Sequence, residues 1–179
     1  MNKKVLVIST SPRKGGNSDT LADEFVRGAQ ETGNSVEKIA LCDLTIGFCK
    51  GCLACQKTQR CVIHDDADTI AQKMLTADIL VFATPIYYYG ICGQMKTMLD
   101  RANPLFSADY QFRNVYLLAA AAEENEHTAD GAVTALQGWI DCFEKANLAG
   151  VVFAGGVTSV GEIRNHPALK NAYEMGRNV

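Results

Sequence analysis

Apolar residues recur along the chain in two alternating rhythms. Short unbroken runs, such as Val5-Leu6-Val7-Ile8 and Ile79-Leu80-Val81-Phe82-Ala83, read as buried strands. Between them, apolar residues return three or four positions apart, as in Leu21, Phe25 and Ala29, which is the helical period. The pattern predicts strands at about 4–9, 35–41, 78–84, 114–121 and 150–154. It predicts helices at about 18–31, 66–75, 93–101, 128–145 and 167–175. Gly33-Asn34 marks a turn. The second strand is less apolar and alternates, as an edge strand does, whereas the third reads as a central strand that stops at Pro85. The inward faces are expected at Ala67, Ile70, Ala71, Met74 and Leu75, at Met95, Met98 and Leu99, and at Ala132, Leu136, Trp139, Ile140 and Phe143.

Strands that alternate with helices form βαβ units around a parallel sheet. Five of each is the count of a flavodoxin-like doubly wound α/β fold, with strand order 2-1-3-4-5 and helices on both faces. The expectation is a single domain over residues 1–179, with a cysteine-rich loop at about 43–64. Ligands of such sheets bind beyond the carboxyl ends of the strands, at the switch point between strands one and three. The loops that begin at Thr10 and Thr84 therefore face one crevice.

The first loop, Thr10-Ser11-Pro12-Arg13-Lys14-Gly15-Gly16-Asn17-Ser18, carries hydroxyls, two cations and two glycines. It empties into a helix N-terminus, where unpaired N–H groups and the helix dipole favour an anion. The bland alternative is a plain βα connection capped by Asn17 or Ser18. Asp19 in the first turn competes for the same dipole. The spacing is neither that of a Walker loop nor G-x-G-x-x-G, so a mononucleotide phosphate suits it better than ATP or NAD. The second loop, Thr84-Pro85-Ile86-Tyr87-Tyr88-Tyr89-Gly90-Ile91-Cys92-Gly93, offers apolar and aromatic faces and backbone amides to a flat heteroaromatic ring. Each tyrosine alone reads equally as a packing or interface residue.

Four cysteines, Cys49, Cys52, Cys55 and Cys61, follow the spacing C-x2-C-x2-C-x5-C. Thiolates at this density suit a [4Fe–4S] cluster or tetrahedral zinc. No histidine lies inside the run, which favours iron–sulfur, and Lys50, Lys57 and Arg60 would offset its charge. Free, packed or oxidised thiols are the alternative. Cys42 and Cys142 read as core. Cys92 reads as either core or part of the second loop. His64 and His127 read as solvent-facing.

These stretches resemble the NAD(P)H-dependent FMN reductases. TSPRKGGNSDTL is similar to their phosphate loop, and TPIYYYGICGQMKTMLDR to their second FMN loop. CKGCLACQKTQRCVIHDD resembles the compact cysteine motif of the iron–sulfur flavoproteins, a branch of the same group. The resemblance covers roughly residues 4–101. It implies that Ser11, Arg13, Asn17 and Ser18 hold the FMN phosphate and that Pro85, Ile86, Tyr87, Tyr88 and Gly90 line the isoalloxazine. Ser9 and Thr84 complete the implied cofactor-binding set. Thr10 stands where the family usually has glycine, and the loop Ala119–Glu124 lacks the glycines often found at the third flavin loop. Ala121 or Glu123 is the expected approach there.

The resemblance implies an enzyme that takes a hydride from NAD(P)H onto FMN. Its electrons would pass to an acceptor such as a quinone, a free flavin or an iron–sulfur centre. The rivals are an electron carrier holding FMN and a [4Fe–4S] cluster, and a non-catalytic flavin-binding domain. A net charge of −3 argues against nucleic acid as a partner. No apolar run is long enough to span a membrane, and the first run is too short for a signal peptide. Seven cysteines, an odd number, argue against a disulfide framework. The expectation is a cytoplasmic protein. Tyr87–Tyr89 and the apolar pair Leu105-Phe106 predict a homodimer or homotetramer.

Overall fold

In the computed structural model, which describes residues 2–179, the apolar runs become strands of one sheet. They are β1 (Lys4–Ser9), β2 (Ser35–Ala40), β3 (Ile79–Tyr87), β5 (Asn114–Ala120) and β6 (Asn147–Ala154), with a short β4 (Gly90–Ile91). The helices are α1 (Asn17–Glu31), α2 (Cys55–Thr58), α3 (Asp66–Thr76), α4 (Gly93–Arg101), α5 (Asp130–Ile140) and α6 (Pro167–Arg177). The sheet runs β2-β1-β3-β5-β6, with every neighbour on that path parallel. Because β4 only folds back on β3, this is the expected 2-1-3-4-5 order.

Side-chain alternation divides the core between the two faces of the sheet. Val5, Val7 and Val81 pack with Leu21 and Phe25 of α1 and Ala168 and Ala172 of α6. Leu6, Ile8, Leu80 and Phe82 pack with Ile70 and Met74 of α3, Met95 and Met98 of α4, and Leu136 and Ile140 of α5. Leu75 and Trp139 are only partly buried against this second cluster.

The third strand does not stop at Pro85. It continues to Tyr87, with Pro85 opposite Ala120 of β5. The Ala83 carbonyl faces β1 and accepts the Thr10 N–H at 2.8 Å. The residue two positions on turns the same way, so the N–H that Pro85 lacks would point where pairing with β1 has already ended.

Helix α5 is shorter than its pattern. A 3-10 turn, Glu126–Ala129, precedes it, and it ends at Ile140. Beyond that the N–H groups of Cys142 and Phe143 reach back only three residues, to Trp139 and Ile140. The tightened turn seats Phe143 among Tyr110, Phe112 and Trp139. Of the apolar pair in the 3-10 turn Asn103–Ser107, Leu105 is buried and only Phe106 is exposed. Cys42 and Cys142, expected in the core, are exposed. The first follows the edge strand β2, and the second lies past the end of α5. His64 and His127 face solvent as expected.

Candidate functional site

The loop after β1 ends in a helix start left open. Gly16 is the N-cap of α1 and supplies no side-chain bond, so the first-turn N–H groups have no cap. Asn17 is 3% exposed, and both its amide nitrogen and its amide oxygen are buried without a partner. Orphaned polar atoms of this kind cost stability unless something fills them, and here they sit at the positive end of a helix dipole. Ser11 Oγ accepts from Arg13 N–H at 3.1 Å and donates to the Arg13 carbonyl at 2.8 Å, which folds the loop on itself. A Cβ on Gly16 would come within 2.7 Å of that hydroxyl and 3.0 Å of the Arg13 carbonyl, so any other residue would have to displace the Ser11 side chain from its bonds.

Asp19 does not compete for the open N-terminus. Its carboxylate accepts the Gly15 N–H at 3.0 Å and pairs with Lys38 of β2 at 2.7 Å. Burial alone would push its pKa up. The Lys38 ammonium and the Gly15 N–H outweigh that and hold the carboxyl below the ordinary range. The acid therefore shapes the loop from beneath. Arg13 donates to the Thr158 carbonyl at 3.0 Å, and the Thr158 and Ser159 N–H groups are held by Glu162. The loop after β6 thus braces the first loop, a contact that no short motif signalled.

The loop after β3 is a two-residue hairpin. Tyr87 pairs with Gly90, and Tyr88 and Tyr89 form the turn with φ of 49° and 62°. Positive φ at both central residues is the type I′ turn, which favours Asn-Gly and strains bulky side chains. Tyr88 is fully exposed, and Tyr87 and Tyr89 are exposed. Tyr89 donates its hydroxyl to Glu123 at 2.7 Å, and that carboxylate raises the tyrosine pKa. A Cβ on Gly131 of α5 would meet the Tyr89 carbonyl at 2.1 Å, so glycine there lets the hairpin dock on α5. Ala121, by contrast, is buried, and its backbone is used by Ala154 and Val157.

The cysteine loop is pinned at both ends. Arg101, the last residue of α4, is 1% exposed. It donates to the Gly47 carbonyl at 2.8 Å and the Ile63 carbonyl at 3.0 Å, and grips both oxygens of Asp65 at 2.7 Å. The N–H groups of Thr45, Gly47 and Cys61 bind Asp66, Asp65 and Asp68, at or just before the first turn of α3. Arg60 pairs with Asp68, so one of the cations expected to offset a cluster's charge is engaged in holding the loop. Sequence patterns missed Arg101, since an arginine at a helix end reads as solvated.

The loop wraps a cavity of about 450 Å3 lined by Cys49, Cys52, Cys55 and Cys61, with Asn103 and Trp139 opposite. Cys142 also reaches this cavity. All seven cysteines are free thiols. Cys55 Sγ accepts from Asn103 Nδ2 at 3.0 Å, Cys61 Sγ from Ile63 N–H at 3.5 Å, and Cys49 Sγ from Gly51 N–H at 3.4 Å. Among the described residues no three His, Cys, Asp or Glu side chains converge tightly enough for a single metal ion. Among the same residues no helix is long and apolar enough to cross a membrane.

Known proteins are similar to the chain in sequence and in fold. The chain is 39% identical over 111 residues to an iron-sulfur flavoprotein of Methanocaldococcus jannaschii, a match covering 62% of this chain and 57% of that protein. The chain thus spans little more than half the length of that relative. A second iron-sulfur flavoprotein, from Methanosarcina thermophila, is 27% identical over 173 residues, covering 96% of this chain and 87% of the relative. In fold the chain is similar to an NAD(P)H:quinone oxidoreductase from Methanothermobacter marburgensis, with a TM-score of 0.76 at 17% identity, covering 99% and 96% of the two chains. At that identity the likeness speaks for the fold alone. Residues 3–162 match the family model described as NADPH-dependent FMN reductase, and the chain belongs to that family.

Proposed function

We propose that residues 1–179 act as one FMN-binding domain and that the protein is an FMN-dependent oxidoreductase. It would draw a hydride from NAD(P)H and deliver electrons to a small-molecule or protein acceptor such as a quinone or a flavin. The observation that carries this reading is the uncapped start of α1 with both buried side-chain amide atoms of Asn17 unpartnered. FMN held there would supply a ring that accepts a hydride and releases electrons singly or in pairs. Ser11, Asn17, Ser18 and the first-turn N–H groups would bind its phosphate, with Arg13 adding charge from the rim. Ser9 and Thr84, both buried at the sheet edge, would shape the floor of the crevice. Pro85, Ile86, Tyr87, Tyr88 and Gly90 would lie along the ring and keep water from one face. Hydride transfer needs no protein acid or base.

The test is direct. Purified protein should be yellow, or turn yellow with added FMN, and NADH or NADPH should bleach it under anaerobic conditions. A protein that cannot take up FMN would instead be a non-catalytic domain. One bleached only by a reduced ferredoxin would be an electron carrier without nicotinamide chemistry.

A second reading adds an iron–sulfur group to the flavin, and the cysteine cavity favours it. Four thiols line one space with no histidine among them, a donor set whose chemistry suits an iron–sulfur cluster. N–H groups already directed at Cys49, Cys55 and Cys61 are the surroundings such sulfurs need. Anaerobic purification with iron and acid-labile sulfide analysis decides between this and free thiols. The free cysteines suit a cytoplasmic setting. The exposed tyrosine hairpin and Phe106 support a homodimer or homotetramer, which sedimentation at micromolar concentration would test.

A further inference from the structure

Two side chains at and just beyond the end of α4 serve the cysteine loop in different ways. Arg101 holds the loop in place through Gly47, Ile63 and Asp65. Asn103, two residues on, begins the 3-10 turn Asn103–Ser107 and lines the cavity itself. That turn is fastened to the loop on its far side. Ser107 Oγ donates to the Gln56 carbonyl at 2.8 Å, and Gln59 Nε2 donates to the Ser107 carbonyl at 3.3 Å. Asn103 is therefore held by backbone hydrogen-bonded to α2, the short helix that carries Cys55. Its Nδ2 lies 3.0 Å from Cys55 Sγ, and Cys55 is the buried member of the four. An amide donor aimed at a buried sulfur, on a scaffold locked to the helix that bears the sulfur, is a built contact.

We propose that Asn103 is a positioning residue of the four-cysteine site: its side-chain N–H orients the Cys55 sulfur and raises the reduction potential of an iron–sulfur group bound by Cys49, Cys52, Cys55 and Cys61. The inference rests on the iron–sulfur reading above. Each electron added to such a group increases the negative charge on its thiolate sulfurs. A fixed N–H donor becomes a stronger partner to the more negative sulfur, so it stabilises the reduced form and lifts the potential. Cys55 is the buried member of the four, so few other donors can reach its sulfur once the amide is removed.

The experiment uses the full chain, purified anaerobically and reconstituted with ferrous iron and sulfide in the presence of FMN. The potential of the iron–sulfur chromophore is measured by spectroelectrochemistry, with the FMN potential read in the same titration. Asn103→Leu removes the donor without adding charge and should lower the iron–sulfur potential while leaving that of FMN in place. Asn103→Asp should lower it further. If Asn103→Leu keeps the wild-type potential and only Asn103→Asp shifts, the effect is charge alone and the inference fails. If Asn103→Leu binds FMN but no longer assembles the group, Asn103→Gln decides. Iron restored by its retained donor supports the role, and iron still absent overturns it. A wild-type chain that binds FMN but neither iron nor sulfide overturns the iron–sulfur reading and the inference with it. An iron-loaded chain with unmoved potentials overturns the inference alone.

Discussion

Thr10 Oγ1 lies 3.2 Å from Cys92 Sγ, in a buried contact that joins the first crevice loop to the second. Thr10 also donates its hydroxyl to the Ala83 carbonyl at 2.9 Å. Cys92 Sγ reaches the Thr10 carbonyl at 3.3 Å and meets the Thr84 hydroxyl at 3.4 Å. The Thr10 hydroxyl is thus engaged on both sides, by the Ala83 carbonyl and by the Cys92 thiol. Thr10→Val keeps the shape and removes the hydroxyl. Its loss should cost about 1–2 kcal/mol, since neither loop can recruit water at a buried site. Urea denaturation of the flavin-free protein reads this, and an unchanged midpoint would show that the contact does not bind the loops together.

Asn17 offers a sharper dissociation of stability from binding. Its buried amide is unpartnered in the free chain, so Asn17→Ala relieves an unmet polar group while deleting a phosphate donor. The flavin-free variant should be as stable as the parent or more so. Its FMN affinity should fall at least tenfold, about 1.4 kcal/mol. Flavin fluorescence titration beside a melting curve checks both, and retained affinity would remove Asn17 from the site.

The tyrosine hairpin should show the same opposition. A left-handed backbone costs a non-glycine residue about 1–2 kcal/mol, and Tyr88 and Tyr89 both adopt it. The double change Tyr88→Asn, Tyr89→Gly installs the preferred type I′ pair and should raise the melting temperature. Anaerobic bleaching by NAD(P)H should slow, because the exposed rings are gone. A variant both more stable and equally fast would assign the tyrosines to the turn alone.

The Asp65–Arg101 clamp makes the cysteine loop sensitive to acid. Burial alone would raise the Asp65 pKa, yet the Arg101 guanidinium and the Gly47 and Ala67 N–H groups hold it below the ordinary range. A carboxyl depressed in the folded state contributes stability above its unfolded pKa, near about 3.9. That contribution is lost as the pH falls through the lower folded value. Asp65→Asn leaves the Arg101 charge buried without its partner and should destabilise the protein by about 3 kcal/mol at neutral pH. It should also flatten the pH dependence below about 4. Stability curves from pH 3 to 7 for both proteins would expose a clamp without weight.

Much of this architecture was legible in the residues, and the gaps have physical causes. Unbroken apolar runs and helical spacing marked the five parallel strands, because a doubly wound sheet buries both faces. Pro85 misled because a proline in a central strand is normally excluded, and only the early end of β1 makes it harmless. The Tyr88-Tyr89 turn was hidden because its residue types contradict its backbone. Cys42 and Cys142 read as core from positions in or beside a strand and a helix, while an edge strand and a shortened helix leave both outside. The first crevice loop and the cysteine spacing were visible as motifs. Their supports, Arg101, Asn103, Thr158 and Glu162, come from distant segments that no local pattern joins.

Trp139 supplies a probe for what occupies the cysteine cavity. It is the only tryptophan in the chain, and it lines the cavity with the four motif cysteines. Its ring stacks on Phe112 with centroids 5.9 Å apart and meets Phe82 edge-on at 5.8 Å, so its orientation is fixed by the core. An iron–sulfur group in the cavity absorbs across the emission range of tryptophan and lies within a side chain's reach, so it should quench strongly. Zinc has a filled d shell and no redox chemistry, and should leave the emission nearly intact. FMN quenches as well, so the comparison is made on FMN-saturated protein before and after anaerobic addition of ferrous iron and sulfide. A large fall in emission, reversed by a chelator and absent in Cys52→Ala, is the expected result. Unaltered emission with iron and sulfide bound in equal amounts would place the group elsewhere on the chain, and unaltered emission with none bound would leave the four thiols free.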